Sequence, residues 1–142
     1  MYLLDTDHAV VLQTEAPAAF DRLVTRMKAH SPSEFYLSIV TFHEQVLGWN
    51  TYLSRAKDRA GVVRGYARLQ KLFDYYADAE VLPFDERAAE EFDALRNARI
   101  RVATMDLRIA AIAQSRDLTV LTRNLVDFQK VPGLKVEDWI GT

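Results

Sequence analysis

Strand-length apolar runs separated by helix-length segments constrain this chain most. The runs are Met1-Tyr2-Leu3-Leu4, Phe35-Tyr36-Leu37-Ser38-Ile39-Val40, Glu80-Val81-Leu82-Pro83-Phe84, Thr119-Val120-Leu121-Thr122 and Leu134-Lys135-Val136-Glu137. Strands that alternate with helices predict a parallel sheet covered on both faces. Right-handed crossovers then bring the carboxyl ends of the strands to one edge. The first run is continuously apolar, as suits a buried central strand, and it ends in Asp5. Asp5 is therefore expected at the edge where open α/β sheets bind ligands. The expected fold is α/β, a three-layer α/β/α sandwich around a mainly parallel sheet of about five strands.

The segments between the runs read as helices. Thr6 or Asp7 caps one starting near His8, and Pro17 opens a second whose buried face is Phe20, Leu23, Val24 and Met27. Thr41 starts a helix reaching about Leu53, and another runs from about Arg59 to Ala77 with Tyr66, Leu69, Leu72, Phe73 and Tyr76 on one side. Together these predict a hairpin-like projection over about residues 41–77. Pro83 predicts that the third strand lies at a sheet edge or ends there. Asp85 and Thr104 are expected to cap the next two helices, and the Arg123–Gly133 connection holds about one helical turn. One domain spanning residues 1–142 is expected, since no internal repeat or interdomain linker interrupts the pattern.

Composition excludes some chemistries. There is no Cys, so neither disulfides nor thiolate catalysis is available. No apolar run approaches the roughly 20 residues of a membrane span. The N-terminus lacks a basic region followed by a long apolar stretch, so no signal peptide is expected. A cytoplasmic protein is the expectation. The net charge of −2 is not that of a typical nucleic-acid binder. With four acids set aside in a metal site, however, the remaining side chains carry a net +2.

Four acids fall just beyond strands or in first helical turns: Asp5, Glu44, Asp106 and Asp127. Such a cluster repels itself unless protons or cations intervene. Oxygen donors without thiolates suit Mg²⁺, with Mn²⁺ a second option. A carboxylate-held cation can activate water for phosphodiester hydrolysis. Each acid also has a structural reading. Asp5 suits a helix cap, and Thr41-Phe42-His43-Glu44 fits a capping box. Asp106 suits the positive end of a helix dipole, and Asp127 suits a loop. Placement of all four on one edge favours the joint functional reading. Asp7 is read as a cap in preference to an outer metal contact, and Thr6 belongs to the same turn. Thr122 and Asn124 suit a turn or the positioning of an acid, water or phosphate. His8, His30 and His43 lack metal-site spacing and are assigned surface, capping or packing roles.

These residues resemble a known family. Leu3-Leu4-Asp5-Thr6-Asp7, the Glu44 helix, Asp106 through Ala113, and Leu121-Thr122-Arg123-Asn124-Leu125-Val126-Asp127-Phe128 are similar to PIN-domain ribonucleases. Among these, the chain most resembles the VapC toxins of type II toxin–antitoxin systems. Val131-Pro132-Gly133-Leu134 and Trp139 extend the likeness, whereas residues of about 50–100 contribute little. The resemblance implies a PIN-like fold and a Mg²⁺- or Mn²⁺-dependent endoribonuclease. It also implies a VapB-like antitoxin partner and a homodimer. Asp5 and Asp106 match the principal metal-binding acids, Glu44 the next and Asp127 the fourth. Asp7 stands where Asn or another small polar residue is frequent.

The expected chemistry is attack of metal-activated water on an RNA phosphodiester. Asp5 and Asp106 hold the cation, Glu44 and Asp127 complete the catalytic set, and Thr6, Asp7, Thr122, Asn124 and Arg123 support it or position substrate. Arg55, Lys57, Arg59, Arg64 and Arg68 are read first as a solvated helix face and second as phosphate contacts. Trp49, Tyr52 and Leu53 are read first as packing and second as an antitoxin groove. Asp5-Thr6-Asp7 also resembles the opening of haloacid-dehalogenase-type phosphatases, with Asp5 as nucleophile and Asp7 as acid/base. A non-catalytic antitoxin- or RNA-binding module is the remaining alternative.

Overall fold

A computed structural model of the chain describes residues 1–141. In chain order the elements are β1 (Tyr2–Leu4), α1 (Thr6–Thr14), α2 (Pro17–Met27), β2 (Phe35–Ser38), α3 (Ile39–Arg55) and α4 (Arg59–Ala77), then β3 (Val81–Leu82), α5 (Glu86–Asn97), α6 (Thr104–Ser115), β4 (Thr119–Leu121), α7 (Leu125–Phe128) and β5 (Val136–Glu137). A 3₁₀ turn at Pro32–Glu34 precedes β2.

The five strands form one sheet in the order β3-β2-β1-β4-β5, and every neighbouring pair is parallel. β1 is central, as its apolar run predicts. Successive strand residues face opposite sides. Leu3 accordingly enters a core with Phe92, Leu107, Ile112 and Phe128, while Leu4 enters a second with Leu23, Leu72, Tyr76 and Trp139. β2 and β3 lie on one side of β1, and the chain then crosses to β4 on the other. That reversal creates a switch point between β1 and β4, outside whose carboxyl ends open α/β sheets bind ligands.

Several boundaries differ from the sequence expectation for local reasons. The second strand stops at Ser38 because its hydroxyl accepts the Thr41 N–H at 3.0 Å and caps α3. Ile39 and Val40 are therefore helical, and the helix starts before Thr41. β3 contracts to Val81–Leu82 and lies at the sheet edge, beside Pro83. Asp85 caps α5 as expected, accepting the Ala88 N–H at 3.0 Å. Thr104 is instead the first residue of α6, whose N-cap, Ala103, has no side-chain bond to offer.

Helices α3 and α4 form an antiparallel hairpin. Phe42 meets Tyr76 at one end, with ring centroids 5.0 Å apart, and Leu53 lies against Gly65 near the other. A Cβ at Gly65 would overlap the Leu53 side chain, so the missing side chain permits the approach. The packed stripe of α4 is narrower than its apolar pattern suggests. Leu72 and Tyr76 are buried, with Leu69 packed against them, whereas Tyr66 and Phe73 are exposed.

Candidate metal and active site

Three acids distant in sequence converge at the carboxyl edge of β1. Asp5 follows β1, Glu44 lies in the second turn of α3, and Asp106 lies in the first turn of α6. One carboxylate oxygen from each lies within 4.8 Å of the others. Parallel strands deliver Asp5 and the start of α3 to the same edge, and α6 presents its N-terminal turn there.

Asp5 is buried, and both its oxygens are held. Oδ1 accepts the Thr6 N–H at 2.8 Å, making Asp5 the N-cap of α1. This corrects the expected cap at Thr6 or Asp7 and agrees with the capping role that Asp5 also suits. Oδ2 accepts the Thr122 hydroxyl at 2.8 Å. Burial, then the neighbouring Asp7 charge, push the Asp5 carboxyl up to about 7, against the pull of the Thr6 and Thr122 hydrogen bonds. Burial also raises Asp106, with Glu44, Asp127 and Asp7 adding repulsion. Two acids raised in a shared cluster mark a site short of positive charge.

Glu44 does not close the expected capping box, because Ser38 occupies the cap and shifts the helix start. Its carboxylate turns to the cluster, where Oε1 accepts the Thr6 hydroxyl at 3.0 Å. Asp127 stands one step further out. Asn124 Nδ2 donates to Asp127 Oδ2 at 3.1 Å and contacts Asp106 Oδ2 at 3.5 Å. Lys130 pairs with the other Asp127 oxygen at 3.0 Å. The Asn124 bond, then Lys130, hold the Asp127 carboxyl below its ordinary value.

Asp7 is neither the helix cap nor a member of the three-oxygen cluster. It contacts His8 Nδ1 at 2.6 Å and accepts the Arg123 N–H at 2.9 Å. Burial pushes its carboxyl up, but these bonds outweigh it and hold it below the usual range. An acid so held does not supply the proton that a phosphatase-type acid/base would need near neutrality. Arg123 is exposed beside the cluster, and Thr122 is fully buried.

The other candidates lie elsewhere. Arg55, Lys57, Arg59, Arg64 and Arg68 are exposed on the α3–α4 hairpin, where Arg64 bonds the Tyr52 hydroxyl at 3.2 Å. Trp49 and Tyr52 pack edge-to-face at 5.4 Å. His8, assigned a default role from sequence, proves fully buried and bonded at both ring nitrogens. Its spacing of three and four from Val11 and Leu12 was the available signal that it faces inward.

The donor set fits a hard divalent cation. It consists of oxygen atoms, it gathers three carboxylates, and burial and mutual repulsion raise two of them. No helix among the described residues is long and apolar enough to cross a membrane.

Comparison with known proteins identifies the family. The PIN domain family model matches residues 2–134. A tRNA(fMet)-specific endonuclease VapC from Salmonella typhimurium is 28% identical over 138 residues, covering 97% of each chain. The DNA-bound VapBC structure from Salmonella typhimurium superposes with a TM-score of 0.72 at 27% identity, covering 97% of each chain. VapBC-1 from nontypeable Haemophilus influenzae shares the fold, with a TM-score of 0.74 at 20% identity over 99% of this chain and 98% of that one. The chain belongs to the PIN-domain family.

Proposed function

We propose that this PIN-domain endoribonuclease, the toxin of a type II toxin–antitoxin pair, cleaves RNA at the cluster formed by Asp5, Glu44 and Asp106, with Mg²⁺ or Mn²⁺ as cofactor. The observation that carries the reading is the convergence of three carboxylate oxygens within 4.8 Å from three separate elements. When bound, the cation supplies Lewis acidity toward water and positive charge for the phosphate oxygens.

The chain's own residues do the rest. Asp5, Asp106 and Glu44 hold the cation. Thr122 and the Thr6 N–H orient Asp5, and the Thr6 hydroxyl orients Glu44. Asn124 spans Asp106 and Asp127 and keeps the outer acid in register. Arg123, exposed beside the cluster, contacts substrate phosphate. No Ser or Cys nucleophile is needed.

Transfer RNA is the first substrate class to test, because the Salmonella relative is named for tRNA(fMet). Structural neighbours that are VapBC complexes support a VapB-like antitoxin as the protein partner. A homodimer acting in the cytoplasm completes the reading.

The test is incubation of purified chain with total tRNA and Mg²⁺ or Mn²⁺, followed by sequencing of new RNA ends. Wild type produces defined ends, which chelation abolishes, and Asp5→Asn and Asp106→Asn do not produce them. Equal cleavage by wild type and both variants would overturn the assignment of the site.

A further inference from the structure

His8 is fully buried beside the carboxylate cluster, and its two ring nitrogens have different partners. The Trp139 N–H donates to Nε2 at 3.1 Å, so that nitrogen carries a lone pair. The ring proton then sits on Nδ1, which donates to Asp7 Oδ1 at 2.6 Å. A neutral imidazole supplies a donor at one end and an acceptor at the other without burying a net charge of its own. Asp138 Oδ1 lies 3.8 Å from Nε2 and accepts the Ile140 and Gly141 N–H groups.

The other oxygen of Asp7 reaches the turn after β4. Oδ2 accepts the Arg123 N–H at 2.9 Å and lies 3.4 Å from the Thr122 hydroxyl. That hydroxyl has one proton to donate. It lies 2.8 Å from Asp5 Oδ2 while accepting the Asn124 N–H at 3.0 Å. Two carboxylates thus flank one hydroxyl proton. The shorter distance assigns the proton to Asp5, and Asp7 Oδ2 holds the Arg123 amide.

We propose that His8 is a positioning residue: through Asp7 it fixes the Arg123 amide and holds the turn that aims Thr122 at Asp5 and Asn124 at Asp106 and Asp127. Asp7 is then a strut between a buried imidazole and a loop amide. The second ring nitrogen accepts the N–H of Trp139, in the segment after β5, and takes no part in the strut itself. The effect on cleavage rests on the functional reading above, whereas the effect on the Arg123 amide does not.

Two variants of the full chain separate the two bonds. His8→Asn keeps an amide donor near the Nδ1 position and loses the acceptor for Trp139. His8→Gln places its amide oxygen near Nε2 and loses the donor to Asp7. In His8→Gln the Arg123 amide exchanges with solvent at least about tenfold faster, while Val120 and Leu121 in β4 keep their protection. In the same variant kcat falls about tenfold or more, with KM within about threefold. His8→Asn stays within about threefold of wild type in both Arg123 exchange and kcat.

Wild-type Arg123 exchange in His8→Gln would overturn the proposal. So would equal losses in both variants with faster exchange throughout β4, which would make His8 a packing residue only. If the wild type cuts no RNA with either cation, the functional reading fails, and Arg123 exchange alone decides the strut.

Discussion

The Thr6 hydroxyl donates to Glu44 Oε1 at 3.0 Å and joins the helix after β1 to the helix after β2. Glu44 lies 38 residues from Thr6, so only tertiary folding brings the bond about. Thr6 also gives its backbone N–H to Asp5, so one residue orients two of the three clustered acids. Hydrogen bonds to charged groups are worth about 1.5–3 kcal/mol. Thr6→Val is therefore expected to lower the cleavage rate about tenfold, the equivalent of about 1.4 kcal/mol in the barrier. Thr6→Ser, which retains the hydroxyl, should stay within about threefold of wild type. Single-turnover cleavage of one RNA by the three proteins checks this.

The acids should differ in importance according to their distance from the cluster centre. Asp5 and Asp106 lie within it, whereas Asp127 is tied to Asn124 and Lys130. Asp5→Asn and Asp106→Asn should reduce cleavage by about 10³-fold or more, and Asp127→Asn by only about tenfold. Circular dichroism should report an unchanged fold in all three. Equal losses across the set would place Asp127 on the cation with the others.

Burial of the acids, reinforced by repulsion among them, gives the metal-free protein a defined pH dependence. The Asp5 carboxyl titrates near 3.8 when unfolded and near 7 when folded. The folded state therefore retains this proton as pH rises through that window, while the unfolded state releases it. Stability contributed by the proton is complete below pH 4 and is lost by about pH 7, on the order of 4 kcal/mol for this group. Asp106 shifts in the same direction and reinforces the trend. Without metal, the melting temperature should fall between about pH 4 and pH 7, and Asp5→Asn should flatten that fall. Mg²⁺ or Mn²⁺ at about 100 times its Kd should restore about 2.7 kcal/mol in wild type at pH 7.5, and less in Asp5→Asn. Thermal melts across pH, with and without cation, measure both effects.

Ser38, not Thr41, caps α3 and sets the rotation that turns Glu44 inward. Ser38→Ala removes the acceptor for the Thr41 N–H and should cost about 1–2 kcal/mol. Thr41→Val leaves that backbone bond in place and should cost less. Urea denaturation of the two variants would expose the opposite order if Thr41 were the true cap.

Two helical glycines should respond with opposite signs. Gly48 is an exposed position with nothing within 4 Å of an added Cβ, so Gly48→Ala should stabilise by up to about 1 kcal/mol. At Gly65 the same change drives a methyl into Leu53 and Tyr52 of α3, so Gly65→Ala should destabilise by about 1–3 kcal/mol despite its better helix propensity. Stabilisation by both would mean that α3 and α4 lie further apart than this packing requires. Denaturant melts of the isolated chain measure both changes.

Much of the architecture was legible in the order of residues. The apolar run at β1, its acid terminus and the alternation of strands with helices predict a parallel sheet, because burial on both faces removes the polar alternation of a half-exposed strand. Local chemistry also predicted the Asp85 cap and the edge position of β3 beside Pro83. The same local rules misplaced the start of α3. Ser38 and Thr41 both suit a cap, and a choice between two hydroxyls three residues apart depends on where the strand stops pairing with β3, which is at Ser38.

The sequence by itself determined which groups were available: four spaced acids, no thiols, and a parallel framework able to carry the acids to one edge. Only the tertiary structure decided where each acid sits. Asp5, Glu44 and Asp106 meet because β1, α3 and α6 converge, and Asp127 stands off because Asn124 and Lys130 hold it. Asp7 is turned away by His8 and Arg123. Hydrogen-bond partners more than 100 residues apart, such as Thr122 with Asp5 and Trp139 with His8, leave no mark in local periodicity. Periodicity records burial along one element, whereas a site is made of directions in which different elements point their side chains.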